Sequence, residues 1–225
     1  MKIVLIALGV LALLGVAAIA VFVFVVQNVE TPRYQVVEED GAFEVRDYPP
    51  MVVAEVRRAG PRREALSAGF GPLARYIFAK EREGERVAMT APVTQQRPDP
   101  IAMTAPVTQS QADAGVWAVR FIMPARYRLA DLPTPSGSDV RLEEVPARRS
   151  AAIRFSGVTT DALIADKQAQ LLDWMAARGL EPAAPPTYAY YNDPFTPGFL
   201  RRNEVLVDVQ PSGTGAVAPP MAPPS

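Results

Sequence analysis

The sequence predicts an α+β domain: a distorted antiparallel or mixed β-barrel of two similar β-β-α-β-β halves, flanked by two helices and preceded by an apolar transmembrane helix. Three observations predict it. A strand-proline-strand pattern at 43–56 recurs at 140–155. Each copy is followed by an apolar stripe of helical period and then by more strand-like chain. Residues 3–26 are apolar and carry no charged side chain.

The apolar run comes first. At 1.5 Å per residue it makes a helix of roughly 36 Å, enough for a hydrocarbon core of about 30 Å. It is read as an uncleaved anchor over residues 1–28. The rival reading is a signal peptide cut after Ala18-Ile19-Ala20, although apolar residues continue to Val26. Lys2 before the span, with Glu30 and Arg33 after it, leans toward an extracytoplasmic domain on a single-pass membrane protein. Residues 29–210 form the domain. Residues 211–225, PSGTGAVAPPMAPPS, are a Pro/Ala-rich tail read as disordered.

In the first half, FEVRDYP at 43–49 reads as a strand ending at proline, and 51–56 as the next. A helix beginning near Pro61 carries Leu66, Phe70, Leu73 and Ile77 on one stripe. Gly69, Gly71 and Pro72 inside it predict a kink or a broken start. Strands are then expected at 86–94, 101–108 and 116–123. In the second half, 140–146 and 149–155 repeat the strand pair. Thr160-Asp161 caps a helix whose stripe is Ile164, Leu171, Trp174 and Met175, and Gly179 and Pro182 stop it. Strands at 187–191 and 204–209 follow. A crevice between the halves is the natural ligand site.

Composition excludes much. There is no Cys, hence no disulfide, thiol nucleophile or thiolate metal site. There is no His, which removes the commonest general base and transition-metal ligand together. A net charge of −1 argues against a nucleic-acid surface. Glu44, Asp47, Glu143 and Glu144 form no recognisable catalytic pair, so the protein is not read as an enzyme; solvated strand faces account for them.

The octapeptide AMTAPVTQ occurs twice, at 88–95 and 102–109. In an extended chain Met89, Ala91 and Val93 share a face, as do Met103, Ala105 and Val107. Pro92 and Pro106 mark edges or bulges. With the turn-forming 96–100 between them, the copies are expected to flank a hairpin with each Met facing inward, as core side chains or as ligand contacts. A local duplication accounts for the identity.

FEVRDYPP at 43–50, Ala74-Arg75-Tyr76-Ile77, MTAPVT at 89–94, Phe121-Ile122-Met123-Pro124 and FLRRNEV at 199–205 together resemble the SOUL haem-binding protein family, in order from about Pro32 to Val209. The resemblance implies a distorted barrel of two halves that binds haem or another tetrapyrrole in an apolar groove beside the first helix. Carried onto this sequence, the groove positions are Leu66, Phe70, Leu73, Ala74 and Arg75, with Pro197, Gly198 and Phe199 from the segment before RRNEV and Arg201 as the first basic residue there. Without His an axial imidazole is excluded; Tyr76, Met89 and Met103 are the nearest side chains able to ligate haem iron. Binding is then expected to be weak, through burial of the porphyrin face, or to prefer metal-free porphyrin. Arg201-Arg202-Asn203-Glu204 suits either a propionate clamp or a structural network between strands. Two other functions remain open: a carrier or sensor for another hydrophobic small molecule, and an interaction scaffold of the cell envelope.

Overall fold

The computed structural model describes residues 30–78, 105–135, 139–192 and 196–210, together with residues 13 and 15. Nine strands and two long helices follow in order: β1 (Gln35–Asp40), β2 (Phe43–Tyr48), β3 (Met51–Ala59), α1 (Arg62–Ile77), β4 (Val107–Asp113), β5 (Val116–Ile122), β6 (Arg141–Val145), β7 (Arg148–Phe155), α2 (Asp161–Ala176), β8 (Thr187–Tyr190) and β9 (Asn203–Asp208). Every pairing is antiparallel, in the order β1-β2-β7-β9-β8-β4-β5-β3-β6.

That order contains the expected duplication. β3-β5-β4 of the first half meets β8-β9-β7 of the second through the β4–β8 pair; the first half also places β2, with β1 outside it, against β7, and the second places β6 against β3. The curl follows from two bends. β2 and β3 stand near opposite ends of the sheet, yet only Pro49-Pro50 separates them in the chain. β6 and β7 are likewise separated only by Pro146 and Ala147. Tyr48 pairs with Arg148 and Met51 with Val145, so one register continues through both bends. Proline donates no ladder bond and breaks the strand there. A flat sheet cannot satisfy both pairings, so it curls into a half-barrel.

Each helix packs on the sheet through one core cluster. Val52, Ala54 and Val56 of β3 and Val119 and Phe121 of β5 meet Leu73, Tyr76 and Ile77 of α1. Val45, Ala151, Ile153, Val205 and Val207 meet Ile164, Leu171, Trp174 and Met175 of α2. Thr160 caps α2, its hydroxyl accepting the Leu163 N–H at 3.2 Å. The helix starts are tied together by Arg62. Its guanidinium donates to Asp161 (2.6 Å), the Thr159 carbonyl (3.1 Å) and the Tyr190 hydroxyl (2.6 Å).

α1 is one continuous helix through Gly69, Gly71 and Pro72, not a helix with a broken start. Gly69 has a packing reason. A Cβ there would lie 2.8 Å from Cβ and Cγ2 of Val119, so the missing side chain lets α1 approach β5. Gly69→Ala is therefore expected to destabilise the protein by about 1–3 kcal/mol from overpacking, less the roughly 1 kcal/mol by which Ala favours a helix over Gly. Urea unfolding checks this; a net gain in stability would show that α1 can move off the sheet at little cost.

The strand expectations at 43–49, 51–56, 116–123, 187–191 and 204–209 fall on β2, β3, β5, β8 and β9. β1 was not expected: all six residues of QVVEED are exposed, so no burial pattern marks them. The expected hairpin between the repeats does not extend to 107–109. Within 107–109, each residue pairs with β5 on one side and β8 on the other (Val107 with Phe121 and Tyr190, Gln109 with Val119 and Tyr188). Both edges of β4 are taken, so the first copy has no place beside these residues. Residues 79–104, holding Met89 and Met103, lie outside the described residues, as do the tail at 211–225 and all of the apolar N-terminal run except 13 and 15. Among the described residues no helix is long and apolar enough to cross a membrane.

Candidate functional site

The expected groove residues on α1 separate into floor and ridge. Leu73 has no exposed surface and belongs to the core between α1, β3 and β5. Leu66, Phe70 and Ala74 recur every four residues on the outer flank. Leu66 and Ala74 are half-buried. Phe70 is 43% exposed, and its ring stands edge-on to Phe121 with centroids 5.2 Å apart. Phe78, just past the helix, adds a second ring 43% exposed. Arg75 is exposed beside this ridge, and its guanidinium folds back so that a Cβ on Gly71 would lie 3.5 Å from Nη1. The stripe is thus only partly covered by the rest of the protein.

Phe199 and Arg201 stand elsewhere. Phe199 lies in a 3-10 turn (Gly198–Leu200) and is 77% exposed. Both border a polar hollow of about 530 Å³ with Gly41, Glu44 and Arg154. Arg201 Nε donates to the Thr196 carbonyl at 2.7 Å. The structure places the α1 residues on one helix and these two in a different hollow.

Within RRNE, Arg202 and Glu204 belong to a structural network. Glu204 is completely buried and accepts from Arg46 (2.7 and 3.1 Å), Arg202 (3.0 and 2.8 Å) and the Tyr191 hydroxyl (2.7 Å). Strand alternation explains the site: Glu44, Arg46 and Tyr48 share the face of β2 opposite Val45, which packs under α2. Burial raises the carboxyl pKa of Glu204, but its bonds to Arg46 and the charges of Arg46 and Arg202 outweigh it and hold the group below its ordinary value. Burial together with the Glu204 charge pushes the Tyr191 hydroxyl far up. Glu55 on β3 is a second such carboxylate, gripped by Arg57 at 2.9 Å and Arg120 at 2.6 Å. Both carboxylates serve the fold. The other acidic residues raised by the sequence include ion-pair partners too: Glu44 with Arg46 and Asp47 with Arg149.

A deeper enclosure was not foreseen. A cavity of about 670 Å³ opens beside the Pro49-Pro50 bend, between the start of β3, the end of β5 and the turn at Leu129–Asp131. Met51, Val52, Ile122, Met123 and Tyr127 make its apolar wall, and Arg33, Arg128 and Glu144 also line it. Glu30 fastens one side. Its carbonyl accepts the Ala105 N–H and its carboxylate the Ala125 N–H, each at 2.9 Å. The volume lies in the range of small-molecule sites. The sequence signal was present in Pro49-Pro50 and Phe121-Ile122-Met123-Pro124, but it took the β3–β5 pairing to bring them together.

A tetrapyrrole can be tested against these residues. The ridge and the cavity both offer apolar surface for a porphyrin face. Axial ligation from α1 fits poorly: Tyr76 is buried and its hydroxyl donates to the Pro133 carbonyl at 2.9 Å. Among the described residues no group of three acidic, His or Cys side chains could hold a metal ion.

The geometry defines a class first: a duplicated α+β half-barrel with an apolar enclosure of small-molecule size. The SOUL heme-binding protein family matches residues 29–208, and the chain belongs to that family. No curated protein matches it. Among solved structures, it is similar to the C-terminal domain of EcmrR, with a TM-score of 0.52 and 13% identity over 79% of this chain and 98% of that one. It is similar also to EcmrR in a DNA complex, with a TM-score of 0.52 and 14% identity over 79% of this chain and 57% of that one. A hydrolase from Listeria innocua follows at 0.48 and 14%, over 77% and 94%. At these identities the likeness extends to the fold alone.

Proposed function

We propose that the domain binds a tetrapyrrole, haem or metal-free porphyrin, through apolar contact and without an imidazole ligand. The ring lies on the α1 ridge of Leu66, Phe70 and Ala74, with Arg75 reaching a propionate. Residues 1–28 tether the domain to the membrane, where carbonate extraction should leave it in the pellet. Family membership supports the ligand class. The observation that carries the site is Phe70, a large aromatic side chain left 43% exposed on an otherwise well-packed helix.

Titration with hemin and with protoporphyrin, read by Soret absorbance and by quenching of Trp117 and Trp174, tests this. Saturation is expected at concentrations on the order of ten micromolar, an affinity of about −7 kcal/mol; no saturable change there overturns it. Arg75→Ala should weaken binding while changing stability by only about 0–1 kcal/mol, the range of an exposed ion pair.

A second reading, a carrier for another hydrophobic small molecule, is favoured by the cavity at Met51 and Met123. Met51→Trp narrows it. If that change abolishes binding and Phe70→Ala does not, the cavity is the site. Mass spectrometry of co-purified compounds then identifies the ligand.

A further inference from the structure

We propose that the β4 slot accepts either copy of the octapeptide, so that the chain exchanges between two registers fourteen residues apart. Three features of the slot support this.

The first is what the slot demands. Val107 packs against the core under α1. Gln109 is completely buried, and its side-chain amide donates to the Arg62 carbonyl at 2.8 Å. Ala105 gives its N–H to Glu30. A buried Gln bound to a backbone carbonyl is a specific requirement, since an unmatched polar group there is costly. The first copy supplies the same residues in the same spacing: Ala91, Val93 and Gln95.

The second is how the match extends beyond the octapeptide. Asp113 faces Arg57 at 3.9 Å, and Asp99 stands at the equivalent position of the first copy. Between them Pro98 corresponds to Ala112. Ala112 falls in the register shift between Gln111 and Asp113 and has no assigned partner on β5, while pairing with β8 ends at Ser110. A proline, which donates no ladder bond, is tolerated best at such a bulge.

The third is that the copies cannot sit side by side at 107–109, because β5 and β8 occupy both edges. The first copy can use the slot only by replacing the second. Residues 88–99 lie outside the described residues, and their sequence alone is compared.

The connections set the balance. Exchange lengthens the β4–β5 link from residues 114–115 to residues 100–115, and shortens the α1–β4 link from 78–106 to 78–92. Loop closure then favours the observed register by roughly tenfold, leaving the other as a minor state.

The chain has no Cys, so only introduced pairs can cross-link. Ser110 faces Thr187, and in the exchanged register Gln96 would. In the full-length chain, Ser110→Cys with Thr187→Cys reports the observed register and Gln96→Cys with Thr187→Cys the exchanged one. Gln109→Lys puts a charge at the buried site and should drive exchange. The expected result is a folded protein with its folding constant reduced roughly tenfold, in which the Gln96→Cys/Thr187→Cys disulfide now predominates. Gln95→Lys alone should change nothing, and Gln95→Lys with Gln109→Lys should lose about a hundredfold or more in the folding constant. Exchange is refuted if Gln109→Lys is as destabilising as the double change. It is refuted equally if no 96–187 disulfide forms in the Gln109→Lys protein.

Discussion

Replacing Glu204 with Gln should destabilise the protein by about 3–5 kcal/mol, the cost of breaking a buried ion pair from one side. Gln keeps the volume and part of the hydrogen bonding, so the loss reports the missing charge. Arg46 is 1% exposed and would keep one carboxylate, Glu44, whose side chain is 17% exposed, beside the neutral Tyr48 hydroxyl at 3.1 Å. Arg202 and Tyr191 would lose their strongest acceptor in the same step. Two contrasts make the result specific. Asp131→Ala, which breaks the exposed pair with Arg128, should cost about 0–1 kcal/mol. Arg46→Met combined with Glu204→Gln should cost clearly less than the two changes added, because they share one network.

Glu204 and the separate Glu55 cluster are expected to set the acid limit of the fold together. The folded pKa values of Glu204 and Glu55 both lie below the ordinary 4.5. In each case burial pulls upward and bonded arginines pull down more strongly. A depressed carboxyl contributes stability that is present above the unfolded value and is lost as pH falls through the folded one. Stability should therefore decline below about pH 4.5, and Glu204→Gln should flatten that decline. A urea midpoint as steep in pH for Glu204→Gln as for the parent would mean that other carboxylates govern acid unfolding.

Much of the fold was legible because duplication and periodicity report burial. The α2 stripe of Ile164, Leu171, Trp174 and Met175 is buried on all four counts, and Thr160 caps it as its position suggests. Antiparallel strands ending at proline were visible in FEVRDYP and again at 140–146. β1 escaped because an edge strand exposed throughout leaves no alternation to read. At 107–109 the expected hairpin is excluded for another reason: identity of sequence suggests neighbours, whereas β4 has neighbours on both sides there. On α1, helical spacing grouped Leu66, Phe70, Leu73 and Ile77, but it could not tell the side chains facing the sheet, Leu73 and Ile77, from Leu66 and Phe70 on the flank. The cavity depends on chain segments far apart in sequence, and no local pattern encodes it.

Leu73→Ala should cost about 2–5 kcal/mol, the range for emptying a fully buried aliphatic site. Leu73 has no exposed surface and is wedged in the core that holds Val119 and Phe121 of β5. α1 is also held close to that strand by Gly69, so the helix has little freedom to settle into the space. A value near the top of the range is expected for that reason. Phe70 lies one position beyond Gly69, yet its ring is 43% exposed and meets Phe121 only at an edge. Phe70→Ala should therefore cost less stability than Leu73→Ala, despite removing the larger side chain. The two changes separate packing from recognition. If the ridge binds a tetrapyrrole, Phe70→Ala loses affinity out of proportion to its modest cost in folding. Leu73→Ala, measured at a temperature where the domain remains folded, keeps most of its affinity because Leu73 cannot touch a ligand. Equal losses of affinity in the two proteins would mean that binding follows the integrity of α1 as a whole and that the ridge is no distinct site.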